Sequence, residues 1–562
     1  MLKNSSFSSF DKYFIFVLLL IIYIYGLFVP LNDNDSAHHA TIALNMFLKS
    51  DWISLVSHGE PYLDKPHFQF WLLYLSYYFL GVTAFSYKIS SFIFSLITFY
   101  ATYKLSLLLF NRKTALQATL ITATCFALMM GNVDVRMDAI LTGAIVFSVY
   151  KFIEYFHFYR FHSLLLATLA AAIAFSTKGW FGTMFIGLII LFYTIQRNQF
   201  SELLKPKFLI RFLLLFIVFI APVLFAYYIQ FDLHPELLIR GKNGQSGLKF
   251  ILLEQSFGRM SGKEFGESSS NDYFFFFHTL LWSILPWSLL YYAGSFFKIK
   301  ESLKSKNIFK DISLVFVFPI FIIYVIMGLS KFKLPHYMLP SYPFTAIFIA
   351  SWMGNISQKN LFVWNKIQNV QYALMIAFMV ILNFWFFPVQ KIFFIILYIL
   401  LFLFVVVKLF YKPKDSADLI WKGVYVVILF WLPFNTNFFH QLLNHQGGQI
   451  LAKEVKLRGI DNQNVYLFGN LDLPYSFEYY TSAIHNKLSL KGLQQDAQSR
   501  KKIYLYIEEK DLKELKEKEI KFTVLASSID YRITILTPEF LNPATRSQVL
   551  TNVYLIEIDN HS

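Results

Sequence analysis

The sequence predicts an all-α polytopic membrane domain followed by a small C-terminal α/β soluble domain. Three observations predict it. Of 562 residues, 56% are hydrophobic and 19% aromatic, with 65 Phe, 34 Tyr and a mean hydropathy of +0.49. A soluble chain cannot hide that much apolar surface. The apolar residues gather into about thirteen stretches of membrane-crossing length. Beyond about residue 437 the pattern changes to short alternating runs around a charged helical segment.

The expected spans are 13–30, 87–110, 114–131, 139–156, 162–177, 180–196, 209–229, 273–293, 311–329, 337–354, 371–387, 391–411 and 419–436. Lys3 and Lys12 precede the first, with no small-residue cleavage site, which predicts a retained helix. The apolar piece from Phe68 to Leu80 is too short to count and reads as interfacial or re-entrant. Loop charge agrees with leaving it out. With a cytoplasmic N-terminus, the basic clusters Arg112-Lys113, Arg160, Arg197 to Arg211, Lys298 to Lys310, Lys359 with Lys366, and Lys412 to Lys422 all fall inside. A crossing by 68–80 would invert every one. This topology puts residues 437–562 outside.

The net charge of +15 is therefore a membrane-topology signal and not a nucleic-acid one. The single cysteine, Cys125, excludes a disulfide within the chain and a cysteine metal cluster.

The stretch from Asn32 to Trp71, directly after the first span, is the expected centre of function. It opens with Asp33 and Asp35, continues in a helical pattern (Ala40, Ala43, Leu44, Phe47), turns at His58-Gly59-Glu60-Pro61-Tyr62 and closes on Asp64-Lys65-Pro66. A carboxylate and a cation held at a membrane surface suit a phosphate-bearing lipid. Other ionisable residues fall on the same outer face: Asp134, Arg136 and Asp138; Lys178; Glu254 and Arg259; Lys331 and Lys333. Cations there oppose the positive-inside bias, and ionisable groups at membrane level are functional candidates.

Each residue also has a structural account. Asp35 suits an N-cap for a helix beginning near Ala37. Lys65 can snorkel beside Pro66, and Lys178 can anchor at the interface beside Trp180. Arg136 and Asp138, two apart, do not share a helix face and are open to partners on other helices. The neighbours His38 and His39 point in different directions on a helix and have no third ligand at metal-binding spacing. The coincidence of polar residues on one face carries the functional reading.

The tail has strand-like runs at 465–468, 503–507 and 553–558, with a charged helical pattern from Lys510 to Lys518. No metal or nucleotide motif occurs in it.

The same residues carry a resemblance. Asp35-Ser36-Ala37-His38-His39-Ala40-Thr41-Ile42-Ala43-Leu44-Asn45-Met46 resembles the segment after the first span of GT-C fold membrane glycosyltransferases. The similarity is to the bacterial lipid A aminoarabinose transferases and, further off, the protein O-mannosyltransferases. It continues through Ser50-Asp51-Trp52, Gly59 to Tyr62, Lys65-Pro66 and Trp71. It resumes at Arg136-Met137-Asp138, Thr177-Lys178-Gly179, Leu285 to Ser288, and Lys333 to Tyr337 with Leu339-Pro340. It covers about residues 13–355, and its first segment is the most specific. One departure is Ser36, where many members have Glu. Asp35 is then the main carboxylate of the motif.

The resemblance implies a polyprenyl-phosphate-sugar donor, of undecaprenyl phosphate type, and an inverting transfer without a glycosyl-enzyme carboxylate pair. The expected roles follow. Asp35 and Asp138 are the catalytic candidates. Lys65, Lys178, Arg259 and Lys333 are candidates for the donor phosphate, where negative charge grows as the sugar C1–O bond breaks. Asp33, Tyr62, Arg136, Glu254 and Tyr337 are further substrate-binding candidates. No cofactor is required and no metal ligand is indicated, although a divalent ion is compatible. The expected partners are the donor lipid, a lipid A-like, glycan or protein acceptor, and membrane lipid, with no nucleic acid. Loop 230–272, rich in Gly and Ser, is an expected lid. The alternatives are a polyprenyl-linked glycan or lipid transporter and a non-catalytic membrane assembly protein. A transporter would place polar sites near the midplane between two related halves, and no internal repeat is present.

Overall fold

The computed structural model describes residues 9–258, 272–305, 310–469, 474–496 and 502–558. Helix α1 (Ser9–Gly26) is followed by α2 (Asp35–Lys49), α3 (Phe68–Leu80) and the long α4 (Ala84–Leu109). Helix α3 has 13 residues, roughly 20 Å at 1.5 Å per residue against a hydrocarbon core of about 30 Å. It packs on α2 instead, where the Tyr77 hydroxyl donates to the Ala40 carbonyl at 3.3 Å and Leu44, Phe70 and Leu73 are buried. Gly81 ends it with φ +73°, a conformation favouring glycine. Thr83 then starts α4 in a reciprocal capping box with Ser86.

Between α2 and α3 the expected turn is a small hairpin. Strands β1 (Val56–Ser57) and β2 (Glu60–Pro61) pair antiparallel around His58 and Gly59, at φ +47° and +84°. Two positive φ values in a two-residue loop match the twist of the flanking strands.

The bundle continues through α5 (Arg112–Ala123), α6 (Phe126–Val133), α7 (Asp138–Phe158), α8 (Phe161–Lys178) and α9 (Trp180–Gln196). Helix α7 is central: 83% of its most apolar window is buried, against 22% for Pro206–Asp232 and 17% for Ile392–Phe410, which turn apolar faces outward. Gly143 lets α4 and α7 approach, since a Cβ there would lie 2.6 Å from the Phe94 carbonyl oxygen.

Among the described residues, seven helices are each long and apolar enough to cross a membrane, or eight if α5 and α6 form one bent span. Other expected spans fall on shorter or broken helices. The stretch 114–131 bends by 51° between α5 and α6. There the Thr124 hydroxyl bonds back to the Leu120 carbonyl at 2.6 Å, and the Phe126 N–H donates instead to Leu285 at 3.2 Å. Leu285 itself interrupts the stretch 273–293, which divides into Phe275–Ser283 and Ser288–Lys304. The two breaks thus meet, and one supplies the other's freed backbone partner, as burial at membrane depth demands.

The last span does not stop at 436 but runs from Ser416 to Leu443. Its polar Asn435-Thr436-Asn437 run looks like an exit and is held inside. The Thr436 hydroxyl donates to Leu432 at 2.6 Å, and Asn437 donates to the Phe387 carbonyl at 2.8 Å.

The tail folds into a mixed five-stranded sheet of order β4-β3-β5-β7-β6. Strands β3 (Val465–Phe468), β4 (Lys487–Leu488) and β5 (Ile503–Glu508) are parallel, while β6 (Phe522–Asp530) and β7 (Thr551–Ile558) join antiparallel. The charged segment forms the helix Glu509–Glu517. The two edge strands, β4 and β6, carry the weakest sequence signal, because an edge strand is short or exposed on both faces.

Candidate active site

Three segments converge. Helix α2 begins at Asp35; Asn34 is the cap, its side chain accepting from the Ser36 N–H at 2.8 Å. Asp35 is therefore in the first turn and its carboxylate is not consumed by capping. Its Oδ2 instead accepts from Arg136 at 3.1 Å. Arg136 also donates to Asp134 at 3.2 Å and lies 3.5 Å from His336 Nδ1. His336 Nε2 is 3.8 Å from Asp138 Oδ2, and the other Asp138 oxygen accepts from Lys178 at 2.7 Å. Lys178 in turn stands over the Tyr337 ring, 4.1 Å from its centroid. A continuous polar chain thus runs from Asp35 through Arg136, the uncharged His336 and Asp138 to Lys178.

The Ser36 hydroxyl, at the position where the resemblance expects Glu, donates to Asp134 at 2.8 Å and to the Val135 carbonyl at 2.7 Å. It ties α2 to the loop carrying Arg136, and the second carboxylate beside Asp35 is Asp134.

The electrostatics are specific. Burial alone would raise the Asp35 carboxyl, but the Arg136 guanidinium and Lys65 hold it well below the usual carboxylate range. Burial pushes His39 down to about 3, so it is uncharged at neutral pH, and Arg136 and Lys65 are the charges that keep Asp35 ionised. Burial likewise lowers His336 to about 3 despite Asp138. Burial disfavours the charge on Arg136, but Asp134, Asp35 and Asp138 outweigh it and raise the group above its ordinary value.

Cavities adjoin this chain. One of about 280 Å³ is lined by Gly131, Asp134, Arg136, Asp138, Trp282 and His336. A second of about 280 Å³ is lined by Lys178, Trp180, Phe181, Gln255, Phe332 and Tyr337. Their walls are mostly apolar, with the polar chain between them. Such a boundary suits an amphiphile with an anionic head.

Of the sequence candidates, Asp35, Arg136, Asp138, Lys178 and Tyr337 come together, and Lys65 acts electrostatically on Asp35. Others lie apart. Asp33 accepts from the Ser476 N–H at 3.1 Å and hydroxyl at 2.5 Å, in the C-terminal domain. Tyr62 packs against His38 and Phe70. Lys333 donates to the Asp272 carbonyl at 3.0 Å. Glu254 pairs with Lys249 at 2.7 Å, and Arg259 lies outside the described residues. Asp134, named in the sequence only among the ionisable residues of one face, and His336, inside the Lys333 to Tyr337 motif, join the chain without having been given a role there. Among the described residues, no three His, Cys, Asp or Glu side chains gather to hold a metal ion.

Comparison with known proteins adds kinship to this geometry. Residues 64–225 match the family described as dolichyl-phosphate-mannose-protein mannosyltransferase. An uncharacterized protein of Aquifex aeolicus is 26% identical over 377 residues, 65% of this chain and 70% of that one. The undecaprenyl phosphate-alpha-4-amino-4-deoxy-L-arabinose arabinosyl transferase 1 of Pseudomonas fluorescens is 22% identical over 332 residues, 58% of this chain and 54% of the relative. The chain thus spans about half the length of that transferase. The crystal structure of ArnT from Cupriavidus metallidurans bound to undecaprenyl phosphate matches with a TM-score of 0.73 over 98% of each chain, at 14% identity. That likeness is one of fold. Motifs, the partial family match and the shared fold together make the chain similar to multi-pass membrane glycosyltransferases of the GT-C fold.

Proposed function

We propose that the chain moves a single sugar from a polyprenyl-phosphate carrier to a lipid A-like, glycan or protein acceptor at the outer face of the membrane, by one inverting displacement. The observation that carries this reading is the Asp35 carboxylate held at 3.1 Å by Arg136, whose side chain lines a cavity together with the Lys178-paired Asp138. The relatives named as acting on undecaprenyl phosphate-linked sugar support the donor class.

In the step, the acceptor oxygen bonds to the sugar C1 from the face opposite the leaving group; a phosphate acceptor attacks as its anion, and a hydroxyl acceptor gives up its proton to solvent as the bond forms. The C1–O bond to phosphate breaks and its electron pair stays on the phosphate oxygen. Lys178 and Lys65 stabilise that growing charge, with Lys333 and Arg259 as further candidates. Cations fixed before the reaction favour the transition state over the ground state. Asp35, ionised far below neutral pH, is a weak base. Its role in this scheme is to orient the acceptor and stabilise positive charge developing at C1. The scheme needs no cofactor. The outer face is assigned from the basic loops, which gather on the opposite side.

The test is transfer in detergent or liposomes, using a polyprenyl-phosphate-sugar extract and following release of polyprenyl phosphate. Asp35→Asn keeps shape and removes charge, and its release rate is expected to fall by orders of magnitude with donor binding retained. Equal rates in the two proteins would remove Asp35 from the mechanism. Absence of release by the wild type, with an extract active on another transferase, would favour transport over transfer.

A further inference from the structure

The segment carrying Asp35 is held from two sides, and one of them is the C-terminal domain. Its helix Tyr475–Thr481 lies directly on the first outer loop. Ser476 gives both its N–H and its hydroxyl to the Asp33 carboxylate. The Thr41 hydroxyl donates to the Tyr475 carbonyl at 3.1 Å, and the Tyr475 ring stacks on His38 at 4.3 Å and on His58 at 4.7 Å. His58 Nε2 and Glu478 Oε2 lie 3.0 Å apart, with side chains only 9% and 0% exposed. The Tyr480 hydroxyl accepts from the Leu31 N–H at 2.9 Å.

These contacts alternate with those to the other side. Residues 31, 33, 38 and 41 bond to or stack on the C-terminal domain. Asn34 and Ser36 bond to Asp134 and Val135. Asp35 lies between them with its carboxylate on Arg136. A buried polar side chain such as Glu478 is expensive to keep unless its oxygens are satisfied, and apolar residues fill such a space at less cost. Its presence here is explained by geometry better than by stability.

We propose that Ser476 and Glu478 of the C-terminal domain are positioning residues that fix the direction of the Asp35 carboxylate: Ser476 through Asp33, and Glu478 through the His58 hairpin turn. The C-terminal domain is then part of the transferase centre although neither residue meets the sugar. The inference rests on the transferase reading above.

The experiment measures kcat, donor KM and melting temperature for the full-length wild type, Ser476→Ala, Ser476→Thr, Glu478→Gln and Asp33→Asn, with the polyprenyl-phosphate-sugar extract as donor. Ser476→Ala and Glu478→Gln are expected to lower kcat about tenfold while leaving donor KM and melting temperature near wild type. Ser476→Thr, which keeps the hydroxyl, is expected to restore the rate. Combining Ser476→Ala with Asp33→Asn is expected to add nothing to the larger single loss, because both act through one contact. Wild-type rates in Ser476→Ala and Glu478→Gln would overturn the positioning role and leave the transferase reading standing. A loss that follows melting temperature, or that Thr does not restore, would reduce the contact to fold stability and overturn it as well. A wild type that releases no polyprenyl phosphate would instead overturn the transferase reading, and this inference with it.

Discussion

Lys178 and Asp138 lie at 6% and 5% exposure, 2.7 Å apart, at the turn from α8 to α9 and the start of α7. A buried pair of this kind is strongly unfavourable to break, by about 3–5 kcal/mol, because one charge is left without a partner. Lys178→Met is therefore expected to lower the melting temperature markedly, and Lys178→Met with Asp138→Asn to recover most of it. Under the proposed scheme, transfer is expected to stay low in both, since the cation that the scheme assigns to the departing phosphate is gone. Recovery of transfer with stability would make the pair structural. The sequence made both residues candidates, because charges on the outer face defy the positive-inside bias. It did not make them partners: they are 40 positions apart, and only helix packing brings them together. His336 escaped for the opposite reason. Inside Leu334-Pro335-His336-Tyr337 it reads as a helix start, and its place between Arg136 and Asp138 is tertiary.

At the scale of elements, the loop between α1 and α4 is clasped by the end of Pro206–Asp232 and the segment after it. Gln230 exchanges bonds with Leu55 at 2.8 and 3.1 Å; Arg240 bonds to Asp64, the neighbour of Lys65; and Gln255 donates to the Asp64 carbonyl at 3.4 Å. A bound phosphate at Lys65 would add an anchor to this clasp. Limited proteolysis is then expected to cut within loop 230–272 more slowly when undecaprenyl phosphate is added. An unchanged cleavage rate would argue against a lid. The loop's Gly and Ser content is the ground for expecting a lid; residues 259–271 of it lie outside the described residues. The strong apolar periodicity made most helices legible. Their breaks were not, because Thr124-Cys125 and Leu285-Pro286 interrupt runs that stay apolar throughout, and the reason for each break is the other helix. The small hairpin, by contrast, was visible in His58-Gly59, where two residues must take positive φ.

Across the whole molecule, the outer site is built from histidines kept neutral by burial. His38 and His67 are lowered to about 4, and His39 and His336 to about 3, all by burial. Between about pH 6.5 and 4 the unfolded chain binds protons that these groups refuse when folded, so unfolding becomes easier as pH falls. Asp33 acts in the other direction. Burial raises it to about 7, so the folded chain holds a proton there that the unfolded chain releases, and that stability is lost as pH rises through 7. Asp530 is raised by burial as well and adds to the same side. His445 and His485 are lowered by burial as well, and Asp511 is raised; the histidines outnumber the raised carboxyls across this window, and the net slope is towards lower stability in acid. The melting temperature in detergent is expected to fall between pH 7 and pH 4.5. His39→Gln and His67→Gln are expected to flatten the slope, since each removes a site that protonates only on unfolding. Asp33→Asn is expected to steepen it, since it removes the opposing contribution. A melting temperature that rises on acidification would mean that the raised carboxyls govern the fold, and that the histidines around Asp35 are accessible to protons in the folded protein.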